Sequence, residues 1–247
     1  MLQGKKVVIT GCASGIGFSI VKRFAENHAD IFAFVHHITT DVTEQFREIS
    51  RHYSVNIKVV EAEMSDMDSI RRAFVEILKG NESIDILVNN AAVGCEKTLG
   101  MTSVDELEYV MKVNYVAPSY IMQVVSRKMI RNKAGIIINI CSRAGVEPRS
   151  GVYAYGASKA ALIWATKAVA RELAPYSIRV NGIAPGLTDT KMGAKNRSVE
   201  SIEKYIEGNN IKRPALPDEI ADVVLFLATD NSSYISGQVI SVDGGRM

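Results

Sequence analysis

The chain has 247 residues, of which 47% are apolar and 23% are charged, and its formal net charge is +2. This is the balance of an ordinary globular protein, so an extended disordered chain is excluded, and the small net charge argues against nucleic acid as the main partner. No apolar run approaches the roughly 18 residues that a membrane span needs, and no secretory signal is recognisable, so we expect a cytoplasmic protein with no membrane partner.

Short runs of β-branched and apolar residues recur along the chain and predict about seven strands. Their apolar character is nearly continuous, which is typical of parallel strands that are buried on both faces. The predicted strands cover residues 7–9, 31–35, 57–60, 84–88, 136–140, 178–180 and 239–242. Amphipathic segments with helical spacing cover residues 15–27, 41–52, 66–79, 103–131, 152–174 and 217–229. This alternation predicts one α/β domain over residues 1–247, a doubly wound, Rossmann-type three-layer sandwich with helices on both faces of the sheet.

A glycine-rich loop separates the first predicted strand from the first predicted helix. Gly11, Gly15 and Gly17 follow the spacing Gly-x-x-x-Gly-x-Gly, with Ser14 and Ile16 between them. Glycine lets backbone N–H groups come close to a ligand, and a helix N-terminus offers unpaired donors and a partial positive charge, which suit a pyrophosphate. We therefore expect a dinucleotide site at this loop, with a tight structural turn as the alternative.

The end of the second predicted strand bears on the choice between NAD and NADP. A carboxylate at that point would bind the adenosine ribose diol and repel a 2′-phosphate, but the residue there is Val35. His36 and His37 follow, and they could bond or partly neutralise a phosphate. The sequence therefore favours NADP(H) over NAD(H). These histidines have no carboxylate or third histidine at ligand spacing, so we expect no metal site.

Two asparagines directly follow the fourth predicted strand, and small residues come after them. Asn89 and Asn90 could hold the backbone groups of the glycine-rich loop, and Ala91 leaves room for a ribose and an adenine. A plain turn is the alternative interpretation of this segment.

Tyr155 and Lys159 are four residues apart in the helical segment 152–174, so both side chains can face one site. A free phenol has a pKa near ~10, and a nearby ammonium lowers it by favouring the phenolate. Ser142 follows the fifth predicted strand and could bond a substrate carbonyl oxygen, although a turn or helix cap is the alternative. We expect Tyr155 to be the general acid or base while hydride passes between a nicotinamide and a carbonyl or alcohol.

The polar stretch 187–216 follows the sixth predicted strand and carries only a short helical pattern near 199–208. Ligands of open α/β sheets bind at the carboxyl ends of the strands, where this stretch must begin. We interpret it as a lid over the substrate, with an ordinary solvated excursion as the alternative.

In this order, the motifs resemble those of the short-chain dehydrogenase/reductase family over nearly the whole chain, including its 3-oxoacyl-[acyl-carrier-protein] reductases. The resemblance adds Asn114 within Lys-Val-Asn, a Pro-Gly segment at Pro185, and the ending Val-Asp-Gly-Gly that closes at Gly245. Two positions depart from the family pattern: Ala92 stands where glycine is usual, and Glu63 where aspartate is more frequent.

The resemblance implies a mechanism in which hydride moves at nicotinamide C4 while Tyr155 exchanges a proton with the substrate oxygen. Ser142 would position that oxygen, Lys159 would hold the nicotinamide ribose and lower the pKa of Tyr155, and Asn114 would anchor a water in a proton relay. The cofactor contacts expected from the motifs and the resemblance together are Gly11, Ser14, Gly15, Ile16, Gly17, His36, Glu63, Met64, Asn90, Ala91, Tyr155, Lys159, Pro185, Gly186, Thr188 and Thr190.

The expected substrate is a small carbonyl or alcohol, and a 3-oxoacyl thioester on an acidic carrier protein is one candidate. A basic cluster could meet such a carrier, or it could be a solvated helix end whose charge suits the helix dipole; it comprises Arg127, Lys128, Arg131 and Lys133. Sugars, steroids, polyols and small ketones remain open. A nucleotide-binding regulator without turnover is the alternative function, and the complete catalytic set argues against it.

The two longest predicted helices carry more apolar residues than a single stripe packed on a sheet would bury. Excess apolar surface on a soluble protein is usually covered by a partner, and in the family that this chain resembles these helices pair across subunits. We therefore expect a homotetramer, with a homodimer second. The residues in question are Val110, Met111, Tyr115, Ile121, Met122, Val125, Met129, Leu162, Ile163, Trp164 and Val169.

Overall fold

The computed structural model describes residues 1–79, 83–194 and 198–246, and a seven-stranded sheet lies at its centre. The strands are β1 Lys6–Thr10, β2 Asp30–Val35, β3 Ile57–Glu61, β4 Ile86–Asn89, β5 Gly135–Ile140, β6 Ile178–Pro185 and β7 Val239–Val242. Their order is β3-β2-β1-β4-β5-β6-β7, and every neighbouring pair is parallel. All seven strands therefore end at one edge of the sheet, and the predicted doubly wound architecture is confirmed.

Helices cover both faces of this sheet. They are α1 Gly15–Glu26, α2 Thr40–Tyr53, α3 Met67–Ile77, α4 Val104–Met111, α5 Ala117–Asn132, α6 Tyr153–Leu173, α7 Lys191–Ala194, α8 Val199–Glu207 and α9 Pro217–Leu227. One core cluster joins the sheet to α1 and α9, and a second joins it to α3, α5 and α6. Within the described residues, no helix is both long and apolar enough to cross a bilayer.

The strand β1 shows why the predicted strands read as continuously apolar. Val7 and Ile9 pack into the first core cluster, while Val8, between them, packs into the second. All three side chains are fully buried. Because successive side chains of a strand point to opposite faces, a strand with helices on both sides needs apolar residues at every position.

Strand β6 is five residues longer than the predicted 178–180. The five added residues begin with Asn181 and Gly182, which do not read as a buried strand. Asn181 is nevertheless fully buried, because its Nδ2 donates to the Ile235 carbonyl at 2.9 Å and its Oδ1 accepts the Gln238 N–H at 3.0 Å. Polar groups that are paired in this way can continue a strand through the core.

The predicted helix 103–131 is divided by a π-helical turn at Lys112–Val116, which separates α4 from α5. Our expectation that its apolar residues would wrap an uncovered face was wrong for most of them: Val110, Ile121, Met122, Val125 and Met129 are buried inside their own chain. The physical reason is that the helix lies between the sheet and its neighbouring helices, so more than one stripe is covered. Leu162 on α6 is buried as well, whereas Trp164 is 71% exposed.

The proposed lid, residues 187–216, contains α7 and α8. A parallel bridge between Thr188 and Ala215 joins its two ends at the base. Residues 195–197 lie outside the described residues, and with them the lid cations Lys195 and Arg197.

Candidate active site

A cleft of about 840 Å³ opens at the edge of the sheet where the strands end. Its walls come from the glycine-rich loop, the segments after β2 to β6, the start of α6, and the proposed lid. Every residue of the expected cofactor set lines this cleft, and so does Ser142. Asn114 lies behind the wall. The structure thus brings together residues that are as much as 179 positions apart in the chain, from Gly11 to Thr190.

The glycine-rich loop has the backbone that a close-fitting anion site requires. Gly11 and Gly15 have φ angles of +68° and +56°, which favour glycine. A Cβ on Gly17 would lie 2.2 Å from the Gly11 carbonyl oxygen, so the loop admits no side chain there. Helix α1 begins without a side-chain cap from Ser14, which leaves the N–H groups of its first turn for a ligand. These features fit the pyrophosphate of a dinucleotide.

Thr10 and Asn90 join the glycine-rich loop to the end of β4. The Thr10 hydroxyl accepts the N–H groups of Asn90 and Ala91, both at 3.0 Å. The Asn90 amide donates to the carbonyls of Thr10 and Gly11 at 3.0 and 2.9 Å. Asn90 therefore holds the loop as predicted, whereas Asn89 turns into the core and donates to Asn139 at 2.9 Å. The sequence motif included Thr10 but gave no hint of its double acceptor role.

Where β2 and β3 end, the imidazole of His36 lies in close contact with the carboxylate of Glu63. Burial by itself raises the pKa of Glu63, but hydrogen bonds from the Ser65 N–H and hydroxyl, both 2.7 Å, and the neighbouring His36 bring that pKa below its usual value. Val35 and Met64 complete this wall with apolar surface. β2 thus ends at Val35 without a carboxylate, whereas Glu63, two residues after β3, contacts the imidazole of His36.

Tyr155 and Lys159 face the cleft together from the first two turns of α6. The Lys159 ammonium is 5.9 Å from the centre of the Tyr155 ring and donates to the Ile140 carbonyl at 2.8 Å. Lys159 is only 2% exposed, and burial lowers the pKa of its ammonium to about 8. The end of β5 therefore fixes the lysine that stands beside the tyrosine.

Ser142 follows β5 and lies at the start of a short 3₁₀ turn, Arg143–Gly145. Its hydroxyl accepts the Ala144 N–H at 3.1 Å, so the turn-capping interpretation is correct, and the residue lines the cleft as well. Gly145 presses against α6, where a Cβ would lie 2.6 Å from the Lys159 carbonyl carbon. This contact sets the serine loop directly against the helix that carries Tyr155.

Asn114 sits in the π-helical turn and is fully buried. Its Oδ1 accepts the Val93 N–H at 2.8 Å, and its Nδ2 donates to the Val93 carbonyl at 2.9 Å and to the Ser158 hydroxyl at 3.0 Å. The amide therefore ties the loop after β4 to α6. A π-turn is frequently found at functional sites, and the water relay through Asn114 stays a prediction.

Arg143, directly after Ser142, was not singled out from the sequence. Its guanidinium pairs with Glu147 at 2.7 Å and with Asp243 at 3.5 Å, which links the serine loop to the segment after β7. A Cβ on Gly186 would lie 2.8 Å from the Asp243 Cα, so that segment also supports the Pro-Gly turn after β6. Its position next to Ser142 was the one signal that could have marked Arg143.

Three further cleft residues were missed: Arg149, Tyr205 and Arg246. Arg149 lies in the turn that leads into α6, Tyr205 lies on α8, and Arg246 follows the Gly-Gly ending. Nothing in the sequence pattern brings these distant residues together, because their meeting depends on how the proposed lid folds back over the cleft.

A family model described as Enoyl-(Acyl carrier protein) reductase matches residues 11–246. The chain is 39% identical over 248 residues to the 3-oxoacyl-[acyl-carrier-protein] reductase FabG of Aquifex aeolicus (strain VF5), covering 99% of this chain and 98% of that protein.

Two solved structures resemble the fold closely. One is a 7 alpha-hydroxysteroid dehydrogenase complexed with NADH and 7-oxo glycochenodeoxycholic acid, with a TM-score of 0.93 and 28% identity, covering 100% of this chain and 95% of the other. The second is YwfH, an NADPH dependent reductase involved in bacilysin biosynthesis, with a TM-score of 0.91 and 28% identity, covering 98% of both chains.

Proposed function

This chain belongs to the short-chain dehydrogenase/reductase family, and from that premise we propose that it reduces 3-oxoacyl thioesters with NADPH. It is an NAD(P)-dependent oxidoreductase acting on C=O and CH–OH groups. The finer assignment is supported by the 39% identity to a 3-oxoacyl-[acyl-carrier-protein] reductase over nearly the full length of both chains. The convergence of Tyr155, Lys159 and Ser142 on one cleft with the glycine-rich loop is the observation that carries the proposed reaction.

The nicotinamide, when bound, supplies the hydride. Tyr155 then donates its phenolic proton to the oxygen of the reacting carbonyl, and Ser142 hydrogen-bonds the same oxygen and holds it near the phenol. Proton transfer by a positioned side chain contributes typically 10²–10⁴-fold to a rate, so we expect turnover to depend strongly on Tyr155.

Lys159 supports Tyr155 by charge. A protonated ammonium near the ring stabilises the phenolate that remains after the proton has left. Its hydrogen bond to the Ile140 carbonyl fixes one of its three N–H groups, which leaves the others for the ribose next to the nicotinamide. Asn114 holds Ser158 and the loop after β4 around this lysine.

The preference for NADPH rests on the end of β2, where Val35 leaves no carboxylate to repel a 2′-phosphate. His36 adjoins that position, and its ring nitrogens can bond a phosphate oxygen. Its pairing with Glu63 keeps the imidazole at the adenosine end of the cleft and also brings a carboxylate near it. We therefore expect a moderate rather than an absolute preference.

The test is reduction of an acetoacetyl thioester of N-acetylcysteamine, followed by the loss of NADPH absorbance. We expect steady turnover with this compound and slower turnover with NADH. A panel of a sugar ketone, an oxosteroid and a simple cyclic ketone serves as the comparison. Turnover of one of these compounds together with inactivity toward the thioester would refute the proposed substrate class while leaving the reaction class intact.

A further inference from the structure

Beyond the reacting centre, the outer wall of the cleft carries two guanidinium groups on one aromatic ring. The Arg246 guanidinium carbon lies 4.1 Å from the centre of the Tyr205 ring, and that of Arg149 lies 5.7 Å from it. Tyr205 is on α8 in the proposed lid, Arg149 is on the connection that also carries Ser142, and Arg246 comes from the segment after β7. Three separate parts of the chain therefore build one feature, and all three residues line the cleft.

Arg246 is held in a fixed orientation. Its Nη1 donates to the Tyr205 carbonyl at 2.7 Å and to the Asn209 side-chain oxygen at 3.3 Å. Its Nε and Nη2 make no hydrogen bond to any residue in the described part of the chain, and no carboxylate there pairs with it. A guanidinium that is stacked on a ring and bonded at one nitrogen keeps its remaining donors aligned for a planar or tetrahedral anion.

The charged side chains near this feature also favour an anionic ligand. Arg143 is already paired with Glu147 and Asp243. Lys191 on α7 and Arg246 also line the cleft, and each brings a positive charge to it. Such a wall attracts an anionic ligand and lowers the cost of bringing its charge into a partly dry cleft.

We propose that Arg246, stacked on Tyr205 beside Arg149, binds an anionic group of the substrate at a distance from the reacting carbonyl. The anion is a phosphate or a carboxylate, as on a phosphopantetheine thioester or on a free oxo acid. If the anion is the phosphate of a thioester arm, this inference rests on the proposed function. If it is the carboxylate of an oxo acid, the inference is independent of that function. It assigns to the lid a binding role for one part of the substrate.

The test uses two pairs of compounds that differ in one charge. The first pair is acetoacetyl-4′-phosphopantetheine and acetoacetyl-pantetheine, and the second is acetoacetate and its methyl ester. For the wild-type protein we expect a lower KM for the charged member of at least one pair. Arg246→Gln should raise the KM of that member about 10-fold, with kcat little changed, and should leave the KM of the uncharged member within about 2-fold.

Lys204→Gln is the matched control, because it removes one positive charge from an exposed position on the same lid helix outside the cleft. It should leave both pairs unchanged. Tyr205→Leu keeps the backbone carbonyl but removes the ring under Arg246, so it should raise the KM of the charged member by a smaller factor than Arg246→Gln.

The inference fails if Arg246→Gln shifts both members of each pair equally, or if the wild-type protein does not distinguish the charged from the uncharged compounds. A response of the phosphate pair alone identifies a thioester arm as the source of the anion, and a response of the carboxylate pair alone identifies an oxo acid. If acetoacetate and its methyl ester are reduced but neither thioester is, the proposed function is refuted. The anion site at Arg246 is then tested by comparing acetoacetate with its methyl ester. Inactivity with all four compounds counts against both.

Discussion

Lys159 holds an ammonium in an almost fully buried position, where its one described polar partner is the Ile140 carbonyl. No carboxylate within the described residues pairs with it. Burial therefore disfavours the charged form and lowers its pKa from 10.5 to about 8. In the protein without cofactor, this lysine lowers stability at neutral pH, because the unfolded chain binds its proton more tightly than the folded chain does.

Because the buried ammonium of Lys159 destabilises the folded protein at neutral pH, we can predict the effect of Lys159→Met, which keeps a long apolar side chain. The destabilisation of the wild-type protein is fully present below pH 8 and disappears as the pH rises through 10.5. The variant should be more stable than the wild type at pH 7, by an amount on the order of 1–2 kcal/mol once the lost hydrogen bond is allowed for. Urea unfolding of both proteins at pH 7 and pH 10 measures the difference, which should shrink at the higher pH. A less stable variant at pH 7 would contradict this account.

Tyr155→Phe removes a single hydroxyl from the cleft. We expect turnover to fall by at least ~10²-fold, in the range of general acid catalysis, with the affinity for NADPH little changed. Tyr153→Phe, two residues earlier on α6, is the control that should keep its activity. Steady-state kinetics measures the turnover, and a fluorescence titration measures the affinity for NADPH. Near-normal turnover of Tyr155→Phe would show that Tyr155 is not the proton donor.

Val35→Asp would place a carboxylate where we expect a 2′-phosphate. We predict that it reverses or flattens the preference for NADPH, with a change of about 10-fold in the ratio of the two affinities. Val35→Asn has nearly the same size without the charge, so it controls for the disturbance of a buried site. Titration of each protein with both cofactors decides the matter, and a clear preference of the wild type for NADH would refute our interpretation of this strand end.

At the scale of elements, the strands were predicted well where apolar character alone defines them. Residues 181–185 of β6 were missed because Asn181 and Gly182 stay buried through hydrogen bonds to residues 54 or more positions away, and a local sequence pattern cannot show such partners. The helix over 103–131 was predicted, but its π-turn was not. The extra residue in that turn rotates α5 relative to α4, so a uniform period of 3.6 assigns the wrong faces.

The same limit applies to the site. The positions of Ser142, Tyr155 and Lys159 followed from their spacing and from the strand that precedes them. The grouping of Arg149, Tyr205 and Arg246 could not follow, because it is produced by three connections that have no periodic pattern. Side chains on loops are placed by tertiary contacts, and a single sequence records these only weakly.

The connection between β1 and β4 supplies a prediction at this scale. Thr10→Val keeps the shape of the side chain but leaves the N–H groups of Asn90 and Ala91 without their acceptor. We expect a loss of about 1–3 kcal/mol in the free energy of unfolding together with weaker binding of NADPH. Thr10→Ser retains the hydroxyl and should keep most of both. Urea unfolding and cofactor titration of the two variants test it, and equal behaviour of valine and serine would disprove the role of the hydroxyl.

At the scale of the whole molecule, we still expect a homotetramer, but of the residues first considered only Trp164 is kept in the argument, and three other exposed side chains join it. Tyr109 and Val116 on the α4–α5 segment and Tyr153 and Trp164 on α6 are 42–71% exposed. Apolar side chains at this exposure on two neighbouring helices fit a contact between copies of the chain. Light scattering after size exclusion should give a mass near four times 27.0 kDa.

Trp164→Glu should shift this mass toward the dimer or monomer, because a charge cannot be desolvated cheaply inside an apolar contact. Lys167→Glu, which likewise places a glutamate at an exposed position of α6 but removes no apolar side chain, is the control. A wild-type mass near 27 kDa with full activity would show that these side chains remain exposed to water.

The parallel register of β1 has a consequence for how the chain is made. Val7 pairs with Ile31 on one side and with Ile86 on the other, so the central strand gains its second neighbour only after a loop of almost 80 residues has closed. The glycine-rich loop is held by Asn90, which directly follows β4, so we expect the nucleotide site to form only after this segment has left the ribosome. Pairings this remote in sequence form slowly, and until then β1 presents an open apolar edge that invites chaperone binding or aggregation.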